Sequence, residues 1–135
     1  MAEKLFKVQV ICPDRIFYEG ECDMLELRTS EGDIGILAGH IPLTAVIKPG
    51  VLRFMKDGEI KEAALHDGFV EILQDKVIIL AEACEWPDEI DLDRAKEALA
   101  RAEERISNDN QTDIARAEVA LHRALLRINL AEKVK

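Results

Sequence analysis

The fold and function of the chain are most clearly indicated by residues 91–127, DLDRAKEALARAEERISNDNQTDIARAEVALHRALLR. Small and aliphatic residues recur in this stretch at alternating spacings of three and four, which is typical of helices with a narrow apolar stripe. The first stripe consists of Leu92, Ala95, Leu99, Ala102 and Ile106, and the second of Ile114, Ala117, Leu121, Ala124, Ile128 and Ala131. Because a short polar break from Ser107 to Thr112 separates them, the stretch predicts an antiparallel two-helix hairpin.

Both predicted helices carry arginine at equivalent positions beside their stripes. The arginines, each one residue before a stripe position, are Arg94, Arg101 and Arg105 in the first helix and Arg116, Arg123 and Arg127 in the second. Corresponding flanks of antiparallel helices face each other, so we expect both rows on one side of the hairpin. Adjacent guanidinium groups repel unless an anion lies between them, and their planar donors suit phosphate. The spacing therefore suggests a phosphate site; the alternative is a solvated face on which Glu97 and Glu104 pair with Arg101.

The ends of the helices are marked by capping residues and by a proline. Pro87 restricts the residue before it and ends the last strand, so Trp86–Glu89 is predicted to be linker. Asp91 is a favourable N-cap for the first helix, and Thr112 or Asp113 is predicted to cap the second. These signals divide the chain into a β domain over residues 1–84, a linker over 85–90 and a hairpin over 91–135.

The β domain is predicted from short alternating runs with no helix between them. The predicted strands include Phe6–Val10, a short Ile16–Tyr18 segment closed by Gly20, a run with Leu25 and Leu27 on one face, and Val51–Met55, Ile60–Leu65, Phe69–Leu73 and Val77–Ala81. Asp57-Gly58 and Asp67-Gly68 are hairpin-type turn signals, and Gln74-Asp75 is a third. Such strands predict an antiparallel sandwich or barrel.

Residues Ser30–Leu43 are unusually rich in glycine for a strand region. No Gly-Lys-Ser/Thr element ends the segment, so it is not a phosphate-binding loop. We interpret it as two bent strands whose tips carry Asp33 and His40.

Composition and motif content argue for a binding or regulatory protein rather than an enzyme. The 27 acidic and 18 basic residues give a net charge of -9, which argues against a nucleic-acid surface. The N-terminus lacks the apolar run of a signal peptide, and no segment reaches the ~20 apolar residues of a membrane span. Three widely spaced cysteines favour reduced, buried thiols. No metal-ligand spacing and no catalytic motif is present.

Residues Ser30–Gly50 resemble the signature region of the epsilon subunit of F-type ATP synthases, and the order of strand domain, linker and Ala- and Arg-rich hairpin matches along the whole chain. The sequence departs from the family at Ala38, where proline is more common. The resemblance implies a flattened, ten-stranded antiparallel β-sandwich followed by the hairpin. It also implies a non-catalytic rotor subunit in the central stalk of a proton-translocating ATP synthase, peripheral on the cytoplasmic face of a bacterial membrane. The implied partners are the gamma subunit and the c-subunit ring, the latter facing Asp33 and His40, with Glu31 a further candidate.

Residues Ile90–Ala95 are similar to the Ile/Leu-Asp-x-x-Arg-Ala motif of bacterial epsilon subunits that bind ATP. The implied site is a nucleoside pocket made by Asp91, Arg94 and Ala95, phosphate ligands Arg101, Arg123 and Arg127, and Ile90, Arg105 and Arg116 as further candidates. ATP, with or without Mg²⁺, would hold the hairpin folded. The ATP-free hairpin would extend to the catalytic beta (and alpha) subunits and inhibit hydrolysis. The alternative is a ligand-free β-sandwich adaptor whose hairpin docks permanently on a partner helix or dimerises.

Overall fold

The structure, a computed structural model, describes residues 4–108 and 114–133. The strands are β1 (Phe6–Cys12), β2 (Arg15–Cys22), β3 (Met24–Thr29), β4 (Gly32–Leu37), β5 (Leu43–Ile47), β6 (Gly50–Lys56), β7 (Glu59–Leu65), β8 (Gly68–Ile72), β9 (Lys76–Ala81) and β10 (Cys84–Glu85). They are followed by a 3₁₀ turn (Pro87–Glu89), α1 (Leu92–Asn108) and α2 (Ile114–Lys133). The chain forms two compact units, Met1–Glu85 and Trp86–Lys135, which we call the sandwich unit and the hairpin unit.

The strands of the sandwich unit form one continuous sheet in the order β10-β7-β6-β3-β5-β8-β9-β1-β2, with β4 paired to β3. The sheet folds over so that β2 meets the strands at the other end of this order. The Arg15 Nη2 on β2 donates to the Cys84 carbonyl of β10 at 3.2 Å. The rings of Tyr18 on β2 and Phe54 on β6 lie 4.3 Å apart between centroids. The predicted ten-stranded sandwich is confirmed, but the pairing of β1 with β9 is parallel rather than antiparallel.

The core of the sandwich is aliphatic because alternate residues of the strands point inward. Val8, Val10, Leu25, Ile72 and Ile79 are each at most 1% exposed. Burying one such side chain contributes about 1.5–3 kcal/mol. Phe6, Phe17 and Phe54 are also buried, so a few aromatic residues join this mainly aliphatic core.

Two of the three predicted hairpin turns are confirmed. Asp57 and Gly58 join the paired strands β6 and β7, and both have the positive φ that tight hairpin turns require. The turn at Gln74-Asp75 joins β8 and β9 and is closed by the Leu73 N–H, which donates to the Lys76 carbonyl at 2.9 Å. The prediction for Asp67-Gly68 is wrong, because β7 pairs with β6 and β10 whereas β8 pairs with β5 and β9. This connection carries the chain between distant parts of the sheet.

The strand predicted over Ile16–Tyr18 is longer than expected. It extends over Arg15–Cys22, and Gly20 lies within the ladder opposite Val8 rather than closing the strand. A Cβ on Gly20 would lie 2.9 Å from the Tyr18 hydroxyl, so the glycine leaves space for that side chain. The glycine therefore reports side-chain packing rather than a turn.

The helices of the hairpin unit pack through alanine, as the stripes predict. The buried alanines are Ala95 and Ala102 on α1, and Ala117, Ala124 and Ala131 on α2. Their seven-residue spacing forms a narrow seam that permits close helix approach. The predicted hairpin is confirmed, whereas the predicted cap at Thr112 or Asp113 lies outside the described residues.

Candidate functional site

The amino end of α1 is fixed by a side-chain cap. The Asp91 Oδ1 accepts a hydrogen bond from the Arg94 N–H at 3.1 Å, and the Asp91 carbonyl accepts one from the Ala95 N–H at 3.0 Å. The preceding 3₁₀ turn is closed by the Ile90 N–H, which donates to the Pro87 carbonyl at 3.3 Å. The predicted N-cap is confirmed, so the carboxylate assigned to the nucleoside pocket already has a structural partner.

Ala95 and Arg94 differ sharply in exposure although they are adjacent. Ala95 is buried in the helix seam at 4% exposure, whereas Asp91 and Arg94 are exposed. The described conformation therefore presents Asp91 and Arg94 to solvent. Ala95 shapes the site through the close helix contact that it allows.

The packing of the alanine seam also determines which arginines of the two helices lie at the same level along the hairpin axis. A register that places the buried alanines opposite one another pairs Ala95 with Ala124 and Ala102 with Ala117. It also places the end of α2 beside the 3₁₀ turn, and these two elements are in contact. With a rise of about 1.5 Å per residue, the six arginines then fall into two groups along the axis. The amino-end cluster is Arg94, Arg123 and Arg127, within about 6 Å along the axis, and the loop-end cluster is Arg101, Arg105 and Arg116.

The exposed arginines of these clusters have no carboxylate partner within the described ranges. Arg94, Arg101, Arg105 and Arg116 are exposed, and no ion pair joins any of them to residues 4–108 or 114–133. The pairs expected on a solvated, self-neutralised face, Arg101 with Glu97 and with Glu104, are thus not formed. Arg123 and Arg127 are half-buried. Uncompensated positive charge on one flank favours an anionic ligand or partner.

The residues expected to face the c ring do not lie together. Asp33 is near the start of β4, where its Oδ1 accepts from the Arg28 Nε at 3.1 Å, and Glu31 lies in the adjoining turn. His40 lies beyond the other end of β4, where its Nδ1 is 2.7 Å from the Ile41 carbonyl. Four residues of strand separate Asp33 from the end of β4, which is about 13 Å. The two predicted tips therefore lie at opposite ends of β4.

A row of apolar side chains, four exposed and one half-buried, crosses five strands of the sandwich and was missed by the sequence reasoning. We call it the outer apolar row; in register order it consists of Val46, Phe69, Leu80, Ile11 and Ile16. Phe69 is 56% exposed, Leu80 51% and Ile16 58%. The only local signal is that Leu80 follows three apolar residues, Val77–Ile79, so that both faces of β9 are apolar. Contiguous exposed apolar surface marks protein interaction sites.

Neither a metal-binding cluster nor a membrane-spanning helix is present in the described part of the chain. Over residues 4–108 and 114–133, no group of three or more His, Cys, Asp or Glu side chains could hold a metal ion. Neither of the two helices in that part of the chain is long and apolar enough to cross a lipid bilayer.

Comparison with family models assigns both units. Residues 5–87 match the model for the β-sandwich domain of the ATP synthase delta/epsilon chain, and residues 88–132 match the model for its long α-helix domain. The chain therefore belongs to the ATP synthase delta/epsilon chain family.

Among curated relatives, the chain is 43% identical over 130 residues to the ATP synthase epsilon chain of Bacillus pumilus, covering 96% of this chain and 99% of the relative. It is 45% identical over 133 residues to the epsilon chain of Caldanaerobacter subterraneus, covering 97% and 96%. The same fold is found at a TM-score of 0.81 and 22% identity in a chain of the Euglena gracilis mitochondrial ATP synthase, covering 94% of this chain and 81% of that one. The chain is thus an epsilon-type subunit: a non-catalytic part of the central stalk of an ATP synthase.

Proposed function

We propose that this subunit couples rotation of a proton-driven c ring to the catalytic head, and that its hairpin inhibits ATP hydrolysis when ATP is scarce. The observation that carries the regulatory part is the pair of arginine clusters on one flank of the hairpin, one of which lies beside the capped start of α1. A positively charged flank with no carboxylate partners for its four exposed arginines in the described part of the chain is suited to a polyphosphate. By this proposal the subunit works at the cytoplasmic face of a bacterial membrane.

The proposed ATP site centres on the amino-end cluster. Asp91 and Arg94 would contact the nucleoside, and Arg123 and Arg127 would contact the phosphates. Arg101 is the member of the loop-end cluster nearest to them, about 8 Å beyond Arg123 along the seam. An arginine side chain can cover much of that distance, so Arg101 is the last phosphate ligand in this arrangement. Ile90 would border the site, and any Mg²⁺ would be held by the phosphates of the nucleotide.

Regulation would follow from competition for the same arginines. ATP neutralises the amino-end cluster and favours the folded hairpin only as far as it binds that state more tightly. Without ATP, repulsion within the clusters favours an extended hairpin. Its arginines would then bind acidic segments of the catalytic beta (and alpha) subunits. Reciprocity requires that those partners weaken ATP binding by the same factor.

The decisive experiment is calorimetric titration of the intact chain with ATP, with and without Mg²⁺. The double variant Arg123→Gln/Arg127→Gln should lose saturable binding, because each charged hydrogen bond to phosphate contributes about 1.5–3 kcal/mol. Lys96→Gln removes an exposed cation from the other flank of α1 and should leave binding unchanged. No binding by wild type at millimolar ATP, or equal binding by both variants, would overturn the ATP-sensor proposal and favour a permanently docked or dimerising adaptor.

The gamma subunit is the partner that we propose for the outer apolar row. The row lies on the outer face of strands β5, β8, β9, β1 and β2, and its central members Phe69 and Leu80 are more than half exposed. Covering side chains of this size contributes about 25 cal/mol per Å² of apolar surface. A central-stalk subunit needs a lasting attachment to the rotating shaft, and this face offers it.

A matched pair of substitutions tests this attachment. Phe69→Ser should weaken assembly with gamma by at least about tenfold, because an aromatic anchor at an interface centre commonly contributes 2 kcal/mol or more. Ile60→Ser is the control, since Ile60 is 59% exposed on β7, outside the row. Equal retention of both variants in co-purified complexes would exclude the row as the gamma surface.

For the c ring, we propose that only the end of the sandwich with Glu31 and Asp33 makes the contact. These carboxylates project at an exposed turn, whereas His40 is at the far end of β4. Glu31→Lys/Asp33→Lys should uncouple proton transport from ATP hydrolysis in reconstituted complexes, and His40→Ala should not. The opposite result would place the other end against the ring.

A further inference from the structure

We propose that β10 is a detachable strand whose release lengthens the linker to the hairpin, and that the His66–Glu85 contact is the latch that holds it. The proposal does not rest on nucleotide binding. β10 is a two-residue strand at one end of the sheet, a buried histidine lies beside it, and two buried cysteines report its position.

The strand β10 is short and stands at one end of the sheet. It consists of Cys84 and Glu85, which pair only with Leu65 and Ala64 of β7. The backbone adds one bond from the His66 N–H to the Ala83 carbonyl at 3.1 Å. A two-residue terminal strand with so short a ladder belongs to the part of a fold that opens before the core does.

Two side chains hold this strand: Arg15 donates to the Cys84 carbonyl at 3.2 Å, and His66 contacts Glu85. His66 is 2% exposed, and its Nε2 is 3.1 Å from the Glu85 Oε1. An ionised carboxylate only accepts, so the Nε2–H must donate. The hydrogen bond is charge-assisted, and such bonds are about twice as strong as neutral ones. Breaking it is therefore one polar cost of detaching Glu85.

The same histidine also lowers the cost of detachment. Its second ring nitrogen, Nδ1, is buried and has no hydrogen-bond partner among the described residues. A buried nitrogen of this kind costs free energy that is recovered when water reaches it. Release of β10 therefore breaks the His66–Glu85 bond, the Arg15–Cys84 bond and the short pairing with β7, and part of this cost is recovered when water reaches the two ring nitrogens. Such a balance suits a latch that opens without unfolding the sandwich.

Opening would matter because of where the chain leaves the sandwich unit. Glu85 is the last residue of that unit, and the 3₁₀ turn follows directly. If residues 84–90 became extended, they would span up to about 24 Å. The linker could then extend up to that total length while β1–β9 stayed folded.

The reactivity of the cysteine thiols reports whether β10 is attached to the sheet. Cys12 and Cys84 are both buried, and the Cys12 thiol is hydrogen-bonded to the backbone of Cys84. Burial raises the pKa of both thiols, so neither reacts readily while β10 is in place. Cys22 is equally buried but lies at the far end of β2 from Arg15, the β2 residue that contacts β10. Detachment of β10 should expose Cys12 and Cys84 together and leave Cys22 protected.

The test is alkylation of the full chain by N-ethylmaleimide, with the modified cysteine located by mass spectrometry. In wild type, Cys84 and Cys12 should react at least about tenfold faster than Cys22, because local opening precedes global unfolding. Their rates should also depend less steeply on urea, since less surface is exposed. This wild-type comparison requires no variant to fold.

Variants at Glu85 then test the latch itself. Glu85→Ala should accelerate Cys84 and Cys12 by about tenfold or more without changing Cys22, because a charged hydrogen bond is lost. Glu85→Gln keeps an acceptor for the Nε2–H and should have a smaller effect. One common rate for all three cysteines in wild type would overturn the detachable strand. A fast Cys84 that does not respond to Glu85→Ala would overturn the latch.

Discussion

The carboxylate of Asp91 has two roles that a pair of substitutions can separate. It caps α1 through the 3.1 Å bond to the Arg94 N–H, and we propose that it also binds the nucleoside. Asp91→Ala removes both functions. Asp91→Ser keeps a hydroxyl that can accept the same hydrogen bond but has no charge, so the difference between the two variants isolates the cap.

The N-cap hydrogen bond sets how much α1 should be destabilised when the cap is lost. Loss of an N-cap costs about 1 kcal/mol, which is about a fivefold change in an equilibrium constant. Asp93 still supplies a first-turn carboxylate in both variants, so the interaction with the helix dipole is only partly lost. Amide exchange in the first turn of α1 should therefore be about fivefold faster in Asp91→Ala and within about twofold of wild type in Asp91→Ser.

Titration with ATP gives the second readout. If the carboxylate is a ligand, both variants lose a charged hydrogen bond of about 1.5–3 kcal/mol, and affinity falls by about tenfold or more in each. If Asp91→Ser binds ATP as tightly as wild type while Asp91→Ala does not, the carboxylate acts only as a cap. That result would refute the proposed nucleoside contact and leave the arginine clusters untouched.

Three further predictions concern the sandwich. Gly68→Ala should lower the free energy of unfolding by about 3 kcal/mol or more in urea, because a Cβ there would lie 2.0 Å from the Leu80 carbonyl oxygen. Gly35→Ala is the control, since its Cβ would meet only the movable Met24 Cε at 3.1 Å. Burial raises the pKa of Cys22 from 9.0 to about 12, so the folded state holds this proton more tightly than the unfolded state. The free energy of unfolding should therefore fall as pH rises from 9 towards 12, by up to about 1.4 kcal/mol per pH unit. Cys22→Ala should remove the contribution of Cys22 to this pH dependence. Leu25→Ala should cost about 2–5 kcal/mol, whereas Ile60→Ala should cost less than about 0.5 kcal/mol.

The hairpin could be predicted from the sequence because its determinants are local. The alanine spacing, the cap at Asp91 and the polar break from Ser107 to Thr112 are local signals. The structure confirms the helices and the cap, although α1 continues through Ser107 to Asn108. The interleaving of Arg94 with Arg123 and Arg127 needs the register of the seam, but that register also follows from alanine positions. Their binding of ATP stays a prediction.

The pairing of distant strands could not be predicted in the same way. Asp67-Gly68 has the composition of a hairpin turn, yet it joins strands that never pair. The local signal specifies a change of direction, whereas the choice of partner depends on which apolar faces the whole sheet must bury. The parallel pairing of β1 with β9 has the same origin, because these strands are more than sixty residues apart in sequence.

The sequence by itself determined the class of each unit, the helix seam, the charge of its flank and the capped start of α1, because periodicity and capping are properties of contiguous residues. Only the tertiary structure decided that Asp33 and His40 lie at opposite ends of β4, that five separated residues form the outer apolar row, and that His66 holds Glu85. Those features join segments far apart in the chain. They arise when the sheet folds over to bury its aliphatic face, and no local pattern encodes which residues are left on its outside.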